Sequence, residues 1–188
     1  MAILPITIWG EPVLHSPAQP VTEFNDELRT LVADMIDTMH AAPGVGLAAP
    51  QVGLPLRLFV YEWEGTKDEP GIKGVAVNPE LWLSPTEPES KRELHERAEA
   101  EGCLSVPDET YPLRRAHRAF MRAQDEFGEP YELEVSGWAA RILQHEFDHL
   151  NGIIYINRLN FVQHRKALKE IAKLGFKGGT WLPGEDED

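Results

Sequence analysis

Apolar positions along this 188-residue chain change period several times, and each change predicts an element. Leu28, Leu31, Val32, Met35, Ile36 and Met39 recur at helical spacing, so a helix with one core-facing stripe is expected, capped by Asn25 or Thr22 and closed by Pro43-Gly44. Residues 56–61 form an apolar run of strand length, and residues 74–83 a second strand broken at Pro79. Residues 117–125 and 131–135 flank Glu126-Phe127-Gly128-Glu129 and predict a hairpin. The helical period returns with Trp138, Ile142, His145 and His149 on one face and Leu143, Phe147 and Leu150 beside it. That pattern predicts a largely buried helix over 137–151, with Ser136 as N-cap and Gly152 just past its end. Residues 153–156 predict a short strand, and Asn160 opens a last helix over 161–174, stopped by Gly175.

The connections are expected to be polar or proline-punctuated. Pro5, Pro12, Pro17 and Pro20 predict an extended N-terminal arm, 62–73 an exposed charged loop, 84–91 a turn-rich tip and 93–101 a charged edge strand. Strands cluster mid-chain without regular alternation with helices. The predicted fold class is therefore α+β, mostly antiparallel sheet packed around the helix of 137–151, with an N-terminal and a C-terminal helix. One domain over 1–177 and a flexible acidic tail over 178–188 complete the expected organisation.

Composition narrows the partners. No apolar run approaches the ~20 residues that span a bilayer. The N-terminal stretch lacks a signal or transit pattern, so a cytoplasmic protein without a membrane partner is expected. A formal charge of −13 argues against DNA or any nucleic acid bound through the whole surface. With a single cysteine there is no internal disulfide, which leaves Cys103 as a core residue, a ligand or a nucleophile.

The chemistry concentrates in His145-Glu146-Phe147-Asp148-His149. Two histidines four apart on a helix can offer two imidazole nitrogens to one metal ion, with Glu146 placed to accept a proton from a water beside it. Catalytic sites of this kind take three protein ligands. No histidine or glutamate follows His149 at short spacing, and Cys103, in Gly102-Cys103-Leu104 at a strand end, offers a soft thiolate; it is the expected third ligand. Gly44 to Gly53 is rich in small residues and suits either a loop closely approaching a ligand, a phosphate among the candidates, or a tight connection into the next strand.

Three blocks together resemble the signature motifs of the peptide deformylases: Gly44-Val45-Gly46-Leu47-Ala48-Ala49-Pro50-Gln51, Glu101-Gly102-Cys103-Leu104-Ser105 and His145-Glu146-Phe147-Asp148-His149, in family order, within a similarity spanning about residues 1–175. The resemblance implies a hydrolase that removes the N-formyl group from N-formylmethionyl peptides as they emerge from the ribosome, releasing formate. It implies one divalent ion on Cys103, His145 and His149, ferrous iron by preference with zinc, nickel or cobalt as substitutes. Glu146 is then the base, and the Gln51 side chain and Leu104 N–H the oxyanion donors. Val45 and Gly46 then pair with the peptide, while Trp138 and Ile142, seven and three residues before His145 on its face, suit an apolar pocket for the methionine side chain, with Trp138 equally suited to the core. Glu101 and Asp148 are expected to pair with arginines such as Arg115 or Arg141 rather than to touch metal. The cationic residues Arg165, Lys166, Lys169, Lys173 and Lys177 suggest a weak ribosome contact. A zinc peptidase and a non-catalytic metal-binding relative are the rival readings. The glycine and cysteine blocks, and the retention of Glu146 and Gln51, argue against both.

Overall fold

The computed structural model describes residues 2–86 and 99–184. The tip expected over 84–91 and the edge strand over 93–101 therefore fall largely outside the described residues, as does the acidic end 185–188.

The helix read from the first apolar stripe is α1, Asp26–Ala41, whose start is fixed by Asn25 accepting a hydrogen bond from Leu28 N at 3.0 Å. It packs on one face of an antiparallel sheet of five strands in the order β2 (Gly46–Ala48), β3 (Leu58–Gly65), β4 (Pro70–Leu83), β7 (Arg118–Gln124) and β8 (Pro130–Ser136). The opposite face carries α2, Gly137–Leu150. Strand alternation assigns the layers: Leu58 and Val60 point into the α1 cluster, Phe59 and Tyr61 into the α2 cluster, so this run is apolar throughout because both faces are covered. α2 is buried from Ala139 to Glu146 and again from Asp148 to Leu150, as a helix between a sheet and a second core must be.

The second core lies beneath the hairpin of β5 (Ala100–Cys103) and β6 (Val106–Pro112), where Val106, Tyr111 and Leu113 meet Ile154, Tyr155, Ile156 and the last helix, α3 (Phe161–Leu174). α3 is capped by Asn160 on Gln163 N and ends on Gly175 in the left-handed conformation.

Several expectations are corrected. Residues 62–73 are not a loop: β3 continues to Gly65 and β4 starts at Pro70, leaving a tight tip at 66–69, because Glu62, Glu64 and Lys73 share one face of the hairpin while Trp63 and Ile72 on the other pack against the α2 core. The break at Pro79 is a bulge within β4, where the register slips between Val77 and Glu80 and Asn78 takes a positive φ of 50° while holding Val21 N and O with its amide. Residues 153–156 form no strand; Tyr155–Arg158 is a 3₁₀ turn, its apolar run buried without a strand partner. Finally, part of the stretch expected as tail belongs to the fold. β9, Thr180–Trp181, pairs antiparallel with β1, Ile6–Thr7, in the supposed N-terminal arm.

Candidate functional site

α2, the β5–β6 hairpin and β2 converge on one cleft of about 510 Å³. Val45, Gly46, Gln51, Cys103, Leu104, Trp138, Ile142, His145 and Glu146 all border it, and fully buried His149 lies beneath.

On its floor three donor atoms face one another. Cys103 Sγ stands 3.2 Å from His149 Nε2, which stands 3.3 Å from His145 Nε2. Two imidazole nitrogens each about 2.0–2.1 Å from a tetrahedral ion would lie about 3.3 Å apart, so the donor set fits a metal ion. Cys103, His145 and His149 are the group of metal-capable side chains found among the described residues.

Charge around the site is arranged to aim these donors. Glu101 Oε1 sits 2.7 Å from His145 Nδ1, so that nitrogen carries the proton and Nε2 turns its lone pair to the site. Arg115 grips Glu101 through Nη2 (2.6 Å) and Nε (3.1 Å) and reaches Asp148 through Nη1 (2.6 Å), while Arg141 adds a bond to Glu101 at 2.9 Å and Arg158 one to Asp148 at 2.6 Å. Burial alone would raise the Glu101 carboxyl; His145 and Arg115 reverse this and hold it well below the usual carboxylate range. The expected pairing of Glu101 and Asp148 with arginines is thus present.

Glu146 has a different environment. Its Oε2 is buried without a hydrogen-bond partner among the described residues, and burial pushes its carboxyl up to about 7. Gly46 makes room for it: a Cβ there would collide with the carboxylate, with Glu146 Cδ only 2.7 Å away. Gln51, at 1% exposure, has its Oε1 tied to Ala48 N at 2.8 Å, which turns Nε2 towards Cys103 Sγ (3.6 Å) and Ser105 Oγ (3.4 Å). β2 is an edge strand. Glu62 N–H bonds Val45 O at 3.0 Å, so by antiparallel alternation the N–H and C=O of Gly46 face the open edge.

The family model described as Polypeptide deformylase matches residues 3–165. The chain belongs to the polypeptide deformylase family. A peptide deformylase of Acidothermus cellulolyticus is 47% identical over 180 residues, 96% of this chain and 92% of that one. Among solved structures, the peptide deformylase of Legionella pneumophila is 39% identical, with a TM-score of 0.75 covering 93% of this chain and 96% of that one. The Ehrlichia chaffeensis deformylase in complex with actinonin is 31% identical, with a TM-score of 0.78 covering 93% and 98%. As in any deformylase, the reaction is deformylation of nascent peptides, and the α+β fold agrees with these neighbours.

The sequence did not single out Ser105, Arg158 or Glu69 for this site. Ser105 falls within the Glu101–Ser105 motif, a local signal that the other two lack. Arg158 closes the 3₁₀ turn that follows Ile154, and Glu69 lies at the tip of the β3–β4 hairpin, so both reach their partners only through tertiary structure. Ser136 occupies the N-cap position of α2 but makes no side-chain cap bond; Glu69 Oε2 accepts from Trp138 N instead, at 3.1 Å.

Proposed function

We propose that this chain hydrolyses the formyl amide of N-formylmethionyl peptides at the floor of the cleft, releasing formate and a free amino terminus. The observation that carries the reading is the meeting of Cys103 Sγ, His145 Nε2 and His149 Nε2 beside Glu146, whose Oε2 has no hydrogen-bond partner among the described residues.

Cys103, His145 and His149 would hold one divalent ion, ferrous iron with zinc, nickel or cobalt as substitutes. Such an ion lowers the pKa of a water to about 7 and polarises a carbonyl. Glu146 accepts the proton as water adds to the formyl carbon and returns it to the nitrogen as the C–N bond breaks. Gln51 Nε2 and the Leu104 N–H donate to the oxyanion of the tetrahedral species, the kind of donor worth about 10²–10³ in rate. The open edge at Gly46, next to Val45, takes the substrate backbone as an added strand, and Trp138 and Ile142 give the methionine side chain apolar walls. The work belongs beside the ribosome in the cytoplasm, where α3 and Lys177 would meet the ribosomal RNA.

The deciding experiment is formate release from N-formyl-Met-Ala-Ser by nickel-loaded protein, beside Glu146→Ala. Formate from the wild type and almost none from a variant with undiminished metal content is the expected result. A metal-loaded wild type that released none, but cleaved unformylated peptides internally, would transfer the reading to a peptidase.

A further inference from the structure

The two carbonyls of the Leu104-Ser105 turn are held from outside the hairpin they belong to. β5 and β6 close through this two-residue turn, with Cys103 opposite Val106 and a register slip between Gly102 and Cys103. Neither turn residue has a positive φ, so the turn is not one of the primed types whose twist suits a two-residue hairpin. Trp181 Nε1 donates to Leu104 O at 3.0 Å, and Trp9 N donates to Ser105 O at 2.8 Å. Thr7 Oγ1, on the same small sheet, reaches Pro50 O and Gln51 O at 3.1 Å. Ile8 N to Gly179 O and Gly178 N to Trp9 O, both 3.0 Å, extend the link between the two terminal segments.

We propose that the β1–β9 sheet is a clamp that positions both oxyanion donors, Thr7 acting on the segment of Gln51 and Trp181 on Leu104, with Trp181 as the principal positioning residue. This rests on the deformylase reading above. Leu104 borders the cleft, and its carbonyl is joined to its N–H through the residue's own φ and ψ, so holding the carbonyl restrains the direction of the N–H. An unmet turn carbonyl would let the residue rotate about its own φ and ψ, and the donor would leave its direction. Trp181 also borders the cleft and packs against the α1 core, so its ring is braced on one side while its N–H works on the other. It lies beyond the residues matched by the family model, in a segment that contributes no side chain to the donor set.

The test uses the full-length, nickel-loaded protein and compares Trp181→Phe, which keeps a ring and loses the donor, with Trp181→Gln, which keeps an N–H and loses the ring. Thr7→Val serves as an independent arm on Gln51. Trp181→Phe is expected to lower kcat about tenfold, short of the ~10²–10³ lost with an oxyanion donor itself, and to leave KM within about twofold. Trp181→Gln should recover most of that loss. Amide hydrogen exchange over residues 103–105 should quicken in the Phe variant and not in the Gln variant. Unchanged kcat in both Trp181→Phe and Thr7→Val overturns the proposal. So does a rise in KM alone, which would make Trp181 only a wall of the cleft, or a Gln variant worse than the Phe variant. Should Trp181→Phe fail to fold, Thr7→Val decides: a fall in kcat at constant KM supports the clamp, and wild-type kcat overturns it. If the wild type releases no formate, the deformylase reading has failed, and the exchange comparison alone tells whether Trp181 holds the turn.

Discussion

At the scale of single residues, the site depends on one missing side chain as much as on those present. Gly46 has an ordinary φ, so its identity is explained by the Glu146 carboxylate occupying the space a Cβ would need. Gly46→Ala should therefore displace Glu146, and a misplacement near 1 Å can cost about 10²-fold in rate. We expect kcat/KM for formate release to fall on that order with metal content unchanged; wild-type kcat/KM would refute the steric account. Cys103 makes a second residue-scale prediction. A thiolate beside ferrous iron is open to oxidation, so an iron-loaded sample should lose activity in air while the nickel form keeps it. An iron sample active for hours under air would remove ferrous iron from the assignment. These residues were legible in the sequence because their chemistry lies in short blocks with fixed spacing. Trp181 and Thr7 were not, since nothing local announces that a residue near either end will meet a turn in the middle of the chain.

Among the elements, helices were more legible than strands. Asn25, Asn160 and Gly175 stand at the ends the sequence assigned them, because a cap is a local bargain between one side chain and the first or last turn. The 62–73 hairpin was missed because its partner strand, rather than its own composition, makes it a strand. That hairpin then supplies what α2 lacks. Gly137 has φ 61°, Ser136 makes no side-chain cap bond, and the tip residue Glu69 brings its carboxylate to Trp138 N, where the positive end of the helix favours it. Glu69→Ala should lower stability by about 1 kcal/mol and Tm by about 2–4 °C, measured by thermal unfolding. His145 lies more than two turns along and is held by Glu101, so activity per folded molecule should be retained. A variant with unaltered Tm would show that the cap contributes nothing.

Over the whole molecule, charge is unevenly spread. The chain carries a formal −13, yet Arg165, Lys166, Lys169, Lys173 and Lys177 are all exposed on or just beyond α3. Some of that charge is engaged locally: Lys173 binds Glu170 at 2.8 Å, Arg165 lies over the Phe161 ring and Lys166 over Tyr111. These are exposed contacts that water and salt screen, so a polyanion could compete for the cations. Contact with ribosomal RNA through this face would be weak, because the remaining surface repels phosphate, and steeply salt-dependent, because each neutralised phosphate releases a counterion. Co-pelleting with ribosomes at low salt should therefore fall sharply as salt rises, and reversing the five charges should abolish it. The cleft is built from α2, β2 and the β5–β6 hairpin rather than from α3, so formate release from a short peptide should survive the reversal. Pelleting that persists after reversal would mean that α3 is a solvated face and that any ribosome contact lies elsewhere on the molecule.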